Sequence, residues 1–261
     1  MKWTITYSAR SHLGLCRGNN EDNLFANGVI LPSDLGNRSF SLDGVANGPA
    51  VFAVCDGMGG EEAGETASLL VAETLRGSAE ELRCAPPRQL EEAVWQYVRQ
   101  AHQAIQLSAQ DVRSGSTLAL CAITTSGIHC FNLGDSRIYC LRRGHFWLVT
   151  NDHTVEGDRM RMGFHPRAGE RADHRLTRCI GIGELRPVEA YPVIPGSCRL
   201  LICSDGLSSM VDHQEIKDLL ERQICPQAAD LLVQSALKNG GHDNITAIVL
   251  DVERQGMFHF N

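Results

Sequence analysis

The sequence lacks any apolar run long enough to cross a membrane. Its apolar runs are short, as at Val51–Cys55 and Leu118–Ile123, whereas a spanning helix needs about 20 consecutive apolar residues. The N-terminal stretch, MKWTITYSARSH, also lacks the apolar core of a secretory signal. We therefore expect no membrane contact and a cytoplasmic location.

Clustered cysteines and an excess of basic charge are missing as well. The 10 cysteines form no CxxC pair and most stand inside apolar runs, so we expect free, buried thiols in a reducing compartment. The 24 lysines and arginines are outnumbered by 31 acidic residues, which gives a net charge of −7. Nonspecific binding to a nucleic-acid backbone needs clustered Lys and Arg, so we expect no nucleic-acid partner.

The sequence also has no internal repeat, no low-complexity block, no Walker A motif and no GxGxxG fingerprint. What remains is an ordinary composition, 43% hydrophobic, over 261 residues. That length suits one large domain or two small ones and is enough for a sizeable core.

Hydrophobic periodicity predicts strands and helices in separate blocks. Apolar residues recur at helical spacing over 63–75 and 90–105, and two further helices are predicted around 212–236. A possible capping box, Asp212 with Glu215, opens the first of that later pair. Strand patterns occupy 3–7, 23–30, 51–57, 117–150, 187–194, 198–204 and 244–252, whereas 31–48 is predicted as a loop or hairpin. The blocks favour an α+β fold with antiparallel sheets and outer helices, interrupted by an exposed, arginine-rich excursion at 155–175.

Four carboxylates stand where predicted strands begin or end. Asp56 and Asp205 each follow an apolar strand and precede glycine, while Asp22 and Asp243 each come just before a strand. Asp-Gly often closes a hairpin, but both pairs here precede helix-like segments. Converging carboxylates repel one another, and Mg²⁺ or Mn²⁺ would relieve that repulsion through oxygen coordination. The pattern therefore indicates an oxygen-ligated metal site.

One basic residue stands close to this acidic set in the sequence. Arg17 precedes Glu21 by four residues and Asp22 by five. Its planar guanidinium suits bidentate contact with a phosphate dianion. An exposed surface arginine is the alternative interpretation.

These residues fall within motifs that resemble those of the metal-dependent serine/threonine protein phosphatases, the protein phosphatase 2C family. The motifs are RGNNEDN at 17–23, DGMGG at 56–60, SGST at 114–117, GDSR at 134–137, LTR with IG at 176–181, SDGL at 204–207 and DNIT at 243–246. Each motif alone is weak, but all of them in family order over about residues 8–252 are highly specific. The chain resembles bacterial members, since Met58 stands where animal members have a histidine.

The resemblance implies a fold and a set of roles. The fold is a four-layer α-β-β-α sandwich of two stacked antiparallel sheets, formed as a single catalytic domain over 1–261. Asp56 should bridge two Mn²⁺ or Mg²⁺ ions, with the Gly57 carbonyl on one of them. Asp205 and Asp243 should complete the first ion, and Glu21 or Asp22 the second. Asp111 is the candidate for a possible third metal.

The implied reaction is hydrolysis of phosphoserine and phosphothreonine in proteins. Arg17 should hold the substrate phosphate, and water or hydroxide on the binuclear centre should be the nucleophile. The excursion at 155–175 corresponds to the family's flap. Phosphorylated proteins, made by a serine/threonine kinase, are the expected partners, and the chain is expected to be a monomer. The alternatives are a non-catalytic regulatory or binding module on the same fold, and a phosphatase for small phosphometabolites.

Overall fold

The computed structural model describes residues 2–32, 39–59, 61–108, 113–165 and 172–255, without the side chains of Glu61 and Glu62. The strands are β1 (Lys2–His12), β2 (Asp22–Ala26), β3 (Val29–Ile30), β4 (Phe40–Asn47), β5 (Ala50–Met58), β6 (Gly115–Ser116), β7 (Leu118–Thr124), β8 (Gly127–Leu133), β9 (Arg137–Arg142), β10 (His145–Leu148), β11 (Glu189–Ala190), β12 (Cys198–Cys203) and β13 (Ile245–Gln255). The helices are α1 (Glu61–Cys84), α2 (Leu90–Ser108), α3 (Val155–Arg161), α4 (Asp205–Ser208), α5 (His213–Arg222) and α6 (Cys225–Lys238).

The strands form two antiparallel sheets. One has the order β10-β9-β12-β13-β1-β4, and the other the order β11-β8-β7-β5-β2-β3, with β6 paired to β5. The strands nearest the two ends of the chain, β1 and β13, pair along their whole length, from Lys2 with Gln255 to His12 with Ile245. This pairing places both ends of the described chain in one sheet.

Alternating side chains place the two sheets face to face between helical layers. On β5, Phe52 and Val54 enter the core between the sheets, whereas Val51, Ala53 and Cys55 pack against α1 and α2. Strand β13 divides its side chains in the same way between the inter-sheet core and the core beneath α4, α5 and α6. A strand with apolar residues on both faces must be covered on both sides, and the four-layer α-β-β-α prediction is confirmed.

Two of the predicted segments differ from the structure. The stretch predicted as a loop or hairpin over 31–48 contains β4, which pairs with the sequence-distant β1 at the edge of its sheet. The predicted strand at 187–194 is reduced to Glu189–Ala190 and an isolated bridge from Ile194 to Ile128. Pro187 and Pro192 have no N–H to donate to a ladder, which accounts for the shortening.

The prediction of free, buried thiols is confirmed for six of the 10 cysteines. All 10 cysteines are free, and Cys55, Cys121, Cys130, Cys140, Cys203 and Cys225 are buried. The prediction is wrong for Cys16 and Cys84, which are exposed. In the part of the chain that the structure describes, no helix combines the length and apolarity needed to span a membrane.

Candidate metal and phosphate site

The four strand-end aspartates meet where the ends of internal strands of the two sheets, β2 and β5 in one and β12 and β13 in the other, lie close together. Asp22 opens β2 directly opposite Asp56 on β5, so that their Cα atoms are paired across the ladder. Asp205 is the first residue of α4 and is separated from β12 by Ser204 alone, and Asp243 lies two residues before β13. Ser204 connects the two sheets, because its hydroxyl donates to Asp22 Oδ2 over 2.7 Å.

A cleft of about 510 Å³ opens above these residues. Most of the predicted site residues line it, together with His174 of the excursion and Leu176, which directly follows the excursion. The predicted residues in its wall are Arg17, Glu21, Asp56, Gly57, Asp205 and Asp243. The structure therefore brings these predicted groups together around one cleft.

Asp56 is held by its backbone and by a buried threonine. The Asp56 N–H donates to Thr117 Oγ1 over 3.0 Å, and the Thr117 N–H donates to the Asp56 carbonyl over 2.8 Å. Thr117 Oγ1 also lies 2.6 Å from the hydroxyl oxygen of Ser136. At the next position the chain passes so close to α1 that a Cβ on Gly57 would lie 2.1 Å from the Gly64 carbonyl oxygen. Only glycine fits there.

Glu21 and Asp22, which the sequence left as alternatives, have different environments. Glu21 lines the cleft, and its N–H donates to Asn244 Oδ1 over 2.8 Å. Asp22 is only 3% exposed and lies beneath the cleft, where its Oδ1 has no hydrogen-bond partner among the described residues. Burial raises the pKa of the Asp22 carboxyl to about 7, although the hydrogen bond from Ser204 acts to lower that pKa. A buried carboxylate oxygen without a donor is a group that a nearby cation would stabilise.

The acidic groups raise one another's pKa. Burial and the neighbouring carboxylates Asp22 and Asp205 raise the pKa of Asp56 well above its ordinary value. Burial and Asp243 raise that of Asp205. Without a counter-charge, these groups retain protons because the site cannot carry several negative charges together.

Arg17 supplies positive charge at the rim. Its Nη2 donates to Asp243 Oδ2 over 2.7 Å, and the side chain is 46% exposed. The hydrogen bond to Asp243 raises the pKa of the Arg17 guanidinium. The arginine therefore stays charged and accessible beside the acidic cluster.

Asp135 is a cleft residue that the sequence reasoning did not select. It follows β8 in the GDSR motif and lines the cleft, and burial together with Asp205 raises its pKa to about 7. The pattern that selected Asp56 and Asp205 also applies to Asp135, since Asp135 likewise follows an apolar strand. Its loop is fixed by His153, whose Nδ1 accepts from the Gly134 N–H over 3.1 Å. The candidate third-metal ligand Asp111 lies outside the described residues.

The donor set fits hard divalent cations. It consists of carboxylates and a backbone carbonyl, the oxygen ligands that Mg²⁺ and Mn²⁺ prefer. Among the described residues, no three His, Cys, Asp or Glu side chains converge closely enough to form a ligand cage by themselves. Mg²⁺ usually keeps several waters and needs no such cage, so an open cleft with a few carboxylates remains compatible with it.

Comparison with known proteins identifies the family. Residues 12–245 match the model of the family described as protein phosphatase 2C. The chain belongs to the protein phosphatase 2C family. It is 31% identical over 255 residues to the serine/threonine protein phosphatase PstP of Mycobacterium tuberculosis, a match that covers 95% of this chain and 45% of PstP. It is 30% identical over 262 residues to the serine/threonine phosphatase Stp of Listeria welshimeri, with 93% and 94% covered.

The solved structures agree with this family assignment. The catalytic domain of the phosphatase PstP, in complex with two manganese ions, superimposes with a TM-score of 0.78 at 30% identity. The match covers 97% of this chain and 100% of that domain. The chain thus spans less than half the length of the mycobacterial PstP sequence but the whole of the PstP catalytic domain. The predicted family and fold are both confirmed.

Proposed function

We propose that the chain is a protein serine/threonine phosphatase that uses two Mn²⁺ or Mg²⁺ ions. The observation that carries the proposal is the convergence of Asp56, Asp205 and Asp243 with Arg17 in one cleft. The names of the relatives and the two manganese ions in the PstP structure support it.

In this proposal, Asp56 would hold both ions, with the Gly57 carbonyl on one of them, and Asp205 and Asp243 would complete the first ion. Glu21, which lines the cleft, is the better candidate for direct coordination than Asp22. Asp22, buried below, would balance the charge of the ions from beneath. Asp135 adds a further carboxylate to the cleft wall, and Asp111 stays a prediction.

When the ions are bound, the chemistry available is Lewis-acid activation of water and of the phosphoryl group. The protein's own residues position the reacting groups. Arg17 binds and orients the substrate phosphate through its guanidinium. Thr117 and Ser136 fix the backbone and the direction of Asp56, while Asn244 anchors the Glu21 backbone.

The proposal extends to substrates and cellular setting. Phosphorylated proteins, made by a serine/threonine kinase, are the proposed substrates. A cytoplasmic location agrees with 10 free cysteines, and absence of nucleic-acid binding agrees with the net charge of −7. A single catalytic domain and a monomeric state stay predictions, the first supported by the pairing of β1 with β13.

Hydrolysis of phosphopeptides tests the proposal. With Mn²⁺, the purified chain should release phosphate from phosphothreonine and phosphoserine peptides faster than from small phosphomonoesters. Clean Mn²⁺ binding without turnover on any of these substrates would overturn it and favour a non-catalytic module. Preference for the small phosphomonoesters would instead assign the same chemistry to a phosphometabolite.

A further inference from the structure

A second group of potential metal ligands lies at the mouth of the cleft, outside the carboxylate set. Cys16 Sγ lies 3.5 Å from His242 Nδ1, and both side chains are exposed. Cys16 lines the cleft directly beside Arg17. The proposed phosphatase chemistry uses neither Cys16 nor His242.

The pair is held in place by the backbones of two loops. The Leu15 N–H donates to the Gly241 carbonyl over 2.7 Å, and a Cβ on Gly14 would lie 2.2 Å from the Asp243 carbonyl oxygen. The His242 ring packs against Gly240, where a Cβ would lie 2.7 Å from Nε2. Each loop therefore presents one potential ligand from a constrained position, and less conformational entropy is lost when an ion binds.

The separation of the two atoms matches shared coordination of one ion. With a Zn–S distance of about 2.3 Å, a Zn–N distance of about 2.0–2.1 Å and tetrahedral angles, sulfur and nitrogen on one zinc lie roughly 3.6 Å apart. We propose that Cys16 and His242 bind a thiophilic divalent cation, with zinc the best fit, at the mouth of the cleft.

This site differs in chemistry from the carboxylate centre. Thiolate and imidazole select zinc, whereas carboxylates and carbonyls suit Mg²⁺ and Mn²⁺. On binding, the cation replaces the thiol proton, which passes to solvent. Water fills the other positions, since within the described ranges no third Cys, His, Asp or Glu completes a three-residue ligand group.

Occupancy should reduce phosphatase activity, a consequence that, unlike the binding itself, rests on the proposed function. Because Cys16 and Arg17 share one wall of the cleft, a hydrated ion on Cys16 stands where a phosphorylated side chain must approach. Its open coordination positions also compete with Arg17 for the substrate phosphate. Zinc should therefore inhibit phosphate release even when Mg²⁺ saturates the carboxylate centre.

Cobalt absorption tests the binding without any need for activity. The full chain is saturated with Mg²⁺ and titrated with Co²⁺, a spectroscopic substitute for zinc. The parent protein should develop a thiolate-to-cobalt charge-transfer band that Zn²⁺ removes. Cys16→Ser should abolish the band, and His242→Gln should weaken cobalt binding by at least about tenfold. The matched control is Cys84→Ser, which removes an exposed thiol near Glu80 and should leave the band unchanged.

Three results would overturn the proposal: no band in the parent protein, a band that persists in Cys16→Ser, or unchanged affinity in His242→Gln. Each would leave only a thiol–imidazole hydrogen bond at this position. Circular dichroism confirms that the variants are folded. A cobalt band in a chain that hydrolyses no phosphopeptide supports the site while the phosphatase proposal fails. Phosphate release that zinc leaves unchanged would overturn the inhibition.

Discussion

At the scale of single residues, the site depends on side chains that position other side chains. Thr117 is only 1% exposed, yet its hydroxyl accepts a hydrogen bond from the Asp56 N–H and lies 2.6 Å from the Ser136 hydroxyl oxygen. Such outer contacts orient metal ligands, and their loss typically weakens metal binding about 10- to 100-fold. The position of the Asp56 carboxylate therefore depends on the Thr117 hydroxyl that binds its backbone.

We predict that Thr117→Val lowers Mn²⁺ affinity by about 10- to 100-fold, because the Asp56 N–H loses its acceptor. Isothermal titration calorimetry with Mn²⁺ measures the change. Thr117→Ser retains the hydroxyl and should stay close to the parent protein. Equal Mn²⁺ affinity in Thr117→Val and the parent protein would show that this hydroxyl does not position Asp56.

Arg17 is predicted to act on the substrate and not on the fold. Arg17→Ala should lower kcat/KM roughly 5- to 150-fold. This factor corresponds to a loss of about 1–3 kcal/mol in transition-state stabilisation, which is the range for a charge-assisted hydrogen bond. Arg17→Lys should recover part of the loss, since it keeps the charge without the bidentate fork. Arg76→Ala, on an exposed face of α1, is the control in the same phosphopeptide assay. Parental kinetics in Arg17→Ala would remove Arg17 from the phosphate site.

At the scale of helices and strands, sequence patterns predicted most elements, and their failures have physical causes. The helices at 63–75 and 90–105 were found because one apolar stripe repeats through each. Strand β4 was missed because it is an edge strand whose residues, FSLDGVAN, are largely half-exposed or exposed. A polar edge strand needs less hydrophobic patterning and resembles a loop in sequence.

The candidate site was only partly predictable for a related reason. Motifs identified Asp56, Asp205, Asp243 and Arg17 one by one, but no pattern within a strand shows that β2 and β5 bring Asp22 opposite Asp56. The choice between Glu21 and Asp22 also depends on which side chain faces the cleft. Those facts arise from pairing between distant segments, which a single sequence does not display.

The start of α5 offers a test at this scale. Asp212 accepts a hydrogen bond from the Glu215 N–H over 2.8 Å and forms the N-cap that the sequence predicted. Because α5 lies on the outer face of its sheet, Asp212→Ala should cost about 1 kcal/mol in unfolding free energy without affecting phosphate release. Urea denaturation measures the cost, and Asp212→Asn should retain stability. An unchanged midpoint and slope in Asp212→Ala would contradict the capping role.

At the scale of the whole molecule, both sheets contribute acidic groups to one cleft, so stability and metal binding are linked. The pKa values of Asp22 and Asp135 are raised to about 7 from an ordinary value of 3.8. A carboxyl whose pKa rises on folding stabilises the native state when protonated. That contribution is complete below about pH 4 and is lost as the pH rises through about 7. A bound cation would neutralise these carboxylates in place of the protons.

We therefore predict that the gain in melting temperature on adding Mn²⁺ is larger at about pH 8 than at about pH 5.5, since each unit of pKa shift corresponds to about 1.4 kcal/mol. Scanning fluorimetry with chelator or with Mn²⁺ measures the gain at both values. In the metal-free protein, Asp135→Asn should flatten the fall in stability with rising pH. A metal-induced gain that is equal or larger at the lower pH would contradict the linkage.

Phosphate release from a phosphothreonine peptide, by the parent protein and by Asp56→Asn, is the decisive test of the metal-dependent phosphatase. We expect turnover by the parent protein with Mn²⁺, none with chelator, and none by folded Asp56→Asn even with Mn²⁺, because this carboxylate is proposed to hold both ions. Parental turnover by Asp56→Asn, or turnover that persists in chelator, would contradict this expectation.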